Sequence, residues 1–374
     1  MVLCLIGPLL ANLGAFMFIP FSSLRVSKSL TKALKKTVSI GLLTGLSVVS
    51  HTSFAQTNAT LRVMVHSSFS LPKPLIAQFE TENKVKLAIT KGGDAGEMLN
   101  KLILTKANPI ADVVYGIDNT LAQKAIQANI LTPYNGPAAT QASVVQLPKP
   151  IIPIDYGYVS LNIDKAAFAK LKLAMPQSLH DLTLPAYKNK LVVENPNTSS
   201  TGYSFLLATI AGLGEDQAFE WWAKMRQNGM KVSKGWSEAY YTDFARNGGP
   251  YPIIVSYASS PAAEVFYSKE KLNESPTQNL FLKGSVFQQV EGVALIKGGS
   301  QAELAGKWIE WLRSKPVQEA LQTSMWMLPI DKSVAVADAW KHTQTPSNFD
   351  NPKESELIVQ STSWLQRWTK VVLK

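Results

Sequence analysis

Short apolar runs of strand length alternate with helical patterns along almost the whole chain, and that alternation restricts it to an α/β architecture. Strand-like runs occupy residues 61–65, 85–89, 112–115 and 156–162, then 190–194, 231–233, 252–257 and 287–296. Between them lie segments with apolar residues at helical spacing: 73–80 and 95–105, where Met98, Leu99, Leu102 and Ile103 recur, then 203–213, 216–227 and 237–246. A crossover helix is expected after each strand. Helical patterns close the chain at 302–313, 317–323 and 354–372, and Trp364 and Trp368, four apart in the last, read as packing residues.

A leader precedes this pattern. Arg25, Lys28, Lys32, Lys35 and Lys36 stand before the apolar run 38–49 with no acidic residue between them, and Ser53-Phe54-Ala55 offers a small-residue cleavage site before Gln56. That is the order of a secretory signal. Residues 1–55 are therefore expected to be a signal region cleaved after Ala55, with the product periplasmic or extracellular. The other reading is an uncleaved anchor, although the run is shorter than the ~20 apolar residues of a comfortable membrane span. A further apolar stretch, 2–21, exceeds what a signal needs. Residues 1–22 read either as a start assigned too early or as an extra membrane segment.

The single cysteine, Cys4, lies in that stretch, so the exported part has neither a disulfide nor a thiol nucleophile and must be held by its core. The leader carries five basic and no acidic side chains, half of the net charge of +10. The remainder is spread without dense runs, which gives no clustered basic face for nucleic acid. Residues 56–374 exceed what one hydrophobic core usually supports, so two lobes are expected. With no long linker in sight, the lobes are expected to interleave. A crossing near 150–157 and a return near 287–292 give lobe 1 as 56–153 plus 287–374 and lobe 2 as 154–286, joined by two hinge crossovers. The cleft between them should be lined by loops at the carboxyl ends of strands.

Several such loops carry polar or aromatic side chains. His66-Ser67-Ser68-Phe69 reads either as a ligand-bonding cluster or as a Ser-rich turn capping the next helix. Gly92-Gly93-Asp94-Ala95-Gly96 precedes a helix, where open backbone N–H groups suit an anion. Asn195 opens a stretch through Ser199, Ser200, Thr201 and Gly202 with more hydroxyls than helix capping uses. Lys234-Gly235-Trp236-Ser237-Glu238-Ala239-Tyr240 puts a tryptophan on a loop after a short strand, where an aromatic face can stack a planar or cationic ligand. Ser256-Tyr257-Ala258-Ser259-Ser260-Pro261-Ala262 and Trp326-Met327-Leu328-Pro329 add two more aromatic-bearing loops. Catalytic patterns are poor. His66, His180 and His342 lack metal-ligand spacing, and no nucleophile elbow, phosphate loop or dinucleotide fingerprint occurs. No metal, cofactor or enzymatic activity is expected.

These segments, together with Asp112-Val113-Val114-Tyr115-Gly116-Ile117-Asp118-Asn119 and Asp155-Tyr156-Gly157-Tyr158, resemble the thiamine-binding proteins of ABC importers, in the same order across nearly all of residues 56–374. Lys234 to Tyr240 is the most specific piece. The resemblance implies a type II periplasmic-binding-protein fold that closes on thiamine or its phosphates without reacting with them, acts as a monomer and delivers its ligand to membrane permease subunits. It implies aromatic surface from Trp236, Tyr257 and Trp326, with Tyr240 in the same motif, and a polar end from Asp94, Ala95, Ser199, Ser200, Thr201 and Gly202. The chain departs from the family pattern in carrying His66-Ser67 for Tyr-Asp, Ala263 for a stacking tyrosine and no tryptophan soon after Phe69. The aromatic box is thinner, and His66 is expected to substitute in part by stacking or hydrogen bonding.

The rival within this fold is a ferric-ion or polyamine carrier, since relatives of the fold hold iron through adjacent tyrosines and Tyr240-Tyr241 is such a pair. The rival from another class is a hydrolase or thiaminase with Glu238 or Asp94 as base. Thiaminases of this fold use a cysteine nucleophile, which residues 56–374 lack.

Overall fold

The computed structural model describes residues 59–374. The expected signal region, the cleavage point after Ala55, the stretch 2–21 and Cys4 all lie outside the described residues. The elements run β1 (Ala59–Val65), α1 (Lys73–Asn83), β2 (Val85–Lys91), α2 (Ala95–Leu104), β3 (Val113–Asp118), α3 (Ala122–Gln127), β4 (Leu131–Thr132), β5 (Ile152–Asp164), α4 (Lys165–Leu171), β6 (Leu191–Glu194), α5 (Ser200–Leu213), α6 (Glu215–Gln227) and β7 (Lys231–Ser233). They continue with the single turn α7 (Trp236–Glu238), β8 (Ile253–Tyr257), α8 (Ser260–Phe266), β9 (Thr277–Leu280), β10 (Phe287–Ile296), α9 (Ala302–Leu312), α10 (Lys315–Ser324), β11 (Leu328–Pro329) and α11 (Glu354–Trp368).

The two-lobed α/β architecture is present, but the sheet is mixed, with main order β2-β1-β3-β10-β5-β8-β6-β7. At one end β1 pairs in parallel with β2 and β3, and at the other β6 pairs in parallel with β7 and β8. The two longest strands, β5 and β10, run antiparallel to their neighbours and to each other in the middle. Parallel neighbours need long crossovers, and the helices between them supply these. Helices do follow the two central strands, α4 after β5 and α9 after β10, but the expectation of a crossover helix after every strand fails at β4 and β9, which lead into β5 and β10 with no α-helix between. Along β5 the company changes. Asp155 and Tyr156 face β11, whereas residues 159–164 face β8 and β9. The β5–β10 register slips between Glu291 and Gly292, a bulge of the kind that bends a strand and raises its twist.

Two large apolar clusters flank this sheet. One gathers Leu61, Val63, Phe79, Val113, Trp308, Ile309 and Leu321 between β1, β3 and helices α1, α9 and α10. The other centres on α5, α6, β6 and β8, where Phe205, Trp221, Trp222 and Trp368 meet edge-on. Such pairs are worth about 0.5–1.5 kcal/mol each beyond the area they bury. Trp364 and Trp368 are both buried, as the packing reading requires. Helix α11 nevertheless leaves the neighbours expected of residues 287–374. Its Trp364 Nε1 donates to Glu215 at 2.9 Å, and Arg367 pairs with Glu215 and Asp216 on α6.

The helix expected over 237–246 is also broken. After α7 the chain makes a wide π-turn over Ala239–Asp243, reaches an extended Phe244 (ψ 137°) and then a tight turn over Ala245–Asn247. A hydrogen bond from Ser233 Oγ to Asp243 ties this segment back to β7. Residues 260–262, read as loop, instead begin α8, with Pro261 in its first turn where the missing N–H costs nothing.

Candidate ligand-binding site

Beside the central strands lies a cavity of about 290 Å³. One wall is aromatic. Trp236 is half-buried, and its position is fixed from three sides. Its backbone N–H donates to Asp94 Oδ2 at 2.9 Å, its Nε1 donates to Ser256 Oγ at 2.9 Å, and Tyr240 stacks on its ring at 4.9 Å. Ser256 is held in turn by Ser260, 2.9 Å away. The backbone approaches closely here. A Cβ on Gly235 would sit 2.6 Å from Asp94 Oδ2, so a larger residue would push the carboxylate off the Trp236 N–H. Tyr257 meets Trp236 edge-on at 6.2 Å.

The floor is acidic. Glu291 on β10 is buried and lines the cavity, with Oε2 3.6 Å from His66 Nε2 and 3.1 Å from the Tyr115 hydroxyl, which also donates to Asp155. Burial alone would push Glu291 up, but the facing His66 ring holds it below the ordinary carboxylate range. Burial also works against a charged His66, and the Glu291 carboxylate outweighs it, so the imidazole lies above its ordinary value. Asp155 takes the opposite course. Burial, then the Glu291 charge, raises it well above the carboxylate range, so Asp155 keeps its proton and Glu291 carries the charge. The His66 ring packs on Gly116 (φ +100°), where a Cβ would come within 2.4 Å of the imidazole.

Between these walls runs a polar chain. The Tyr257 hydroxyl donates to Gln289 Oε1 at 2.8 Å and lies 3.2 Å from Thr201 Oγ1. Gln289 Nε2 donates to Ser200 Oγ and to Asp118, whose carboxyl is pushed up to about 6 by burial against the pull of its Thr120 and Gln289 donors. Ser200 and Thr201 open α5, where the first backbone N–H groups have no partner in the preceding turn. Trp326 forms the far rim in a left-handed conformation (φ +58°), among Phe266, Tyr267 and Trp340. A non-glycine residue there stores about 1–3 kcal/mol of backbone strain. The Tyr267 hydroxyl donates to Thr323 O at 2.7 Å, joining the α8 side of the rim to α10.

Of the residues singled out in the sequence, His66, Asp94, Ser200, Thr201, Trp236, Tyr240, Tyr257 and Trp326 line this cavity, and Ala95, Ser199 and Gly202 do not. Each has neighbours within the fold. Ala95 is buried, with its N–H given to Asp94 Oδ1; Ser199 caps α5 through the Gly202 N–H; and a Cβ on Gly202 would lie 2.4 Å from Glu194 O. The α2 start is filled as well, since the Glu97 N–H donates to Thr198 O at 3.0 Å. Sequence reasoning missed Glu291, Met325, Tyr267 and the pair Arg246–Glu264, whose atoms are 2.8 Å apart. Glu291 had a signal, being a lone carboxylate in the apolar run 287–296.

The chain is similar in sequence and fold to known proteins. Residues 108–353 match the bacterial extracellular solute-binding protein family. A relative from Escherichia coli strain K12, the thiamine-binding periplasmic protein, is 30% identical over 321 residues, covering 83% of this chain and 93% of its own. The solved structure of a periplasmic thiamin binding protein superposes with a TM-score of 0.74 at 27% identity, over 84% of this chain and 96% of that one. A ferric binding protein from Campylobacter jejuni shares the fold at TM-score 0.66 and 18% identity, over 83% of this chain and 99% of its own. With most of its described length matched, the chain belongs to the bacterial extracellular solute-binding protein family.

Proposed function

We propose that the exported chain captures thiamine, or one of its phosphates, in the cleft between its lobes and hands it unchanged to the permease subunits of an ABC importer. The observation that carries this reading is the pairing of the locked Trp236 face with the ionised Glu291 across one cavity. A planar, positively charged heterocycle gains from both. A cation over an indole face is worth about 0.5–2 kcal/mol, more as water is excluded, and a buried carboxylate supplies the counter-charge. The hydroxyls of Ser200 and Thr201 at the α5 start would meet a hydroxyethyl or phosphate group. The name carried by the Escherichia coli relative supports the same ligand.

On this reading lobe 1 is built from 56–153 and 287–374 and lobe 2 from 154–286, with α11 reaching across to clasp α6. The Tyr240 hydroxyl donates to Glu264 at 2.7 Å, which draws one of the two adjacent phenols away from an iron site. The test is to incubate purified residues 56–374 with thiamine, its monophosphate and its pyrophosphate, remove free ligand, and identify what is retained by mass spectrometry. Retention of one unaltered thiamine form per chain is expected. A hydrolysed product would make the protein an enzyme, and no retention would remove thiamine as the ligand.

A further inference from the structure

We propose that Glu291 is the counter-charge for a cationic ring in the cleft and that His66 competes with that ring for it, so that the site selects positively charged ligands and takes them up with release of a proton. This rests on the thiamine reading above and concerns how the positive ring is recognised.

Two cationic side chains line the cavity, and they differ in freedom. Arg246 is tied to Glu264 at 2.8 Å. His66 sits 3.6 Å from Glu291, too far for a hydrogen bond, and its buried Nε2 has no hydrogen-bond partner. The ring has little room to turn, because it rests on the backbone of Gly116. The charged and titratable groups around it are Glu291 on β10, Tyr115 on β3, Asp155 on β5, Asp94 at the α2 cap and Lys91 at the end of β2. Within this set Asp155 keeps a proton and both Asp94 oxygens are engaged by the Ala95 and Trp236 N–H groups, which leaves Glu291 as the carboxylate that His66 neutralises.

In the free protein, His66 is protonated below its raised pKa and offsets the Glu291 charge from 3.6 Å away. A ligand cation arriving beside the same carboxylate puts two positive charges against one negative. The imidazole can give up its charge and the ring cannot. Uptake therefore exchanges a proton for the ligand: protonated His66 and cation go in, neutral His66, bound cation and a free proton come out. The complex holds fewer protons than the free protein, so affinity rises with pH up through the raised His66 pKa of the free protein, by at most about tenfold per pH unit. A neutral ligand of the same shape displaces no proton and shows no such slope.

The test is calorimetric titration of wild type, Glu291→Gln and His66→Gln with thiamine and with 3-deazathiamine, in which a neutral thiophene replaces the thiazolium. We expect wild-type thiamine binding to strengthen with pH and release a proton, visible as an enthalpy that depends on the buffer, and His66→Gln to flatten that slope. Glu291→Gln should cost thiamine about tenfold or more in affinity while 3-deazathiamine changes by less than about threefold. Equal losses for both ligands, or none for either, would mean that Glu291 shapes the cavity without reading charge. A pH-independent wild type that binds thiamine would overturn the proton exchange and leave the thiamine reading standing. A wild type that binds neither compound would sink both.

Discussion

The carboxylate of Asp94 joins two distant parts of the chain: one oxygen accepts from the Ala95 N–H at the start of α2 and the other from the Trp236 N–H, 142 residues further on. The side chain that caps a helix in the first third of the chain thus also fixes the aromatic wall of the cavity. Asp94→Ala should weaken ligand binding about tenfold and destabilise the protein by about 1 kcal/mol through the lost cap. Asp94→Asn has a single acceptor oxygen, enough for the Ala95 N–H or the Trp236 N–H but not for both, and should fall between wild type and Asp94→Ala. Trp236→Ala should cost more than about tenfold in affinity and also lower the melting temperature, because the ring stacks on Tyr240 and bonds Ser256 as well as facing the cavity. Titration calorimetry and thermal unfolding on the same samples check all three.

Away from the site, Asp112 carries an unusual load. Its carboxylate accepts from the Arg62 backbone and guanidinium and from the Ser300 backbone and hydroxyl, tying β1 to the turn before α9. Burial would raise its pKa, but the Arg62 guanidinium and these N–H donors hold it below the ordinary value. Asp112→Ala leaves those donors unpaired and should cost about 3 kcal/mol, with ligand affinity retained once folded. The sign of the pH effect follows from the depressed pKa: this contribution is present above the unfolded value and fades as pH falls through the folded one. Urea unfolding at two pH values measures it.

Glu194 is the opposite case. It is fully buried at the end of β6, neither oxygen has a hydrogen-bond partner, and burial followed by the nearby Asp94 raises its pKa well above the ordinary value. The folded protein holds this proton over a pH range where the unfolded chain has lost it, so stability falls as pH rises through that range. Glu194→Gln removes the penalty. The variant should be more stable than wild type above about pH 5, by a margin that widens with pH. A melting-temperature series across pH reads the margin, and a constant offset would contradict the account.

The strands and long helices were legible in the sequence because their periodicities are local. Residues 231–233 and 287–296 have the bounds expected of them, but periodicity carries no strand direction, so the antiparallel centre of the sheet was invisible. The Trp236 loop was legible because its polar and aromatic residues are contiguous. Glu291, Tyr267 and the Arg246–Glu264 pair were not, since they converge from β10, the segment after α8, the turn after the π-turn and α8, which no spacing rule links. Ala95, Ser199 and Gly202 lie beside the cavity and not on its lining. They sit in the right segments, yet their atoms cap and pack helices, and only geometry separates that from lining the cavity.

The most direct measurement is isothermal titration of purified residues 56–374 with thiamine, its monophosphate and its pyrophosphate, with ferric citrate as the control. Saturable one-to-one binding of a thiamine form, lost in Trp236→Ala, is the predicted result. Saturable binding of iron with no response to any thiamine form would contradict the account and turn attention to Tyr240 and Tyr241.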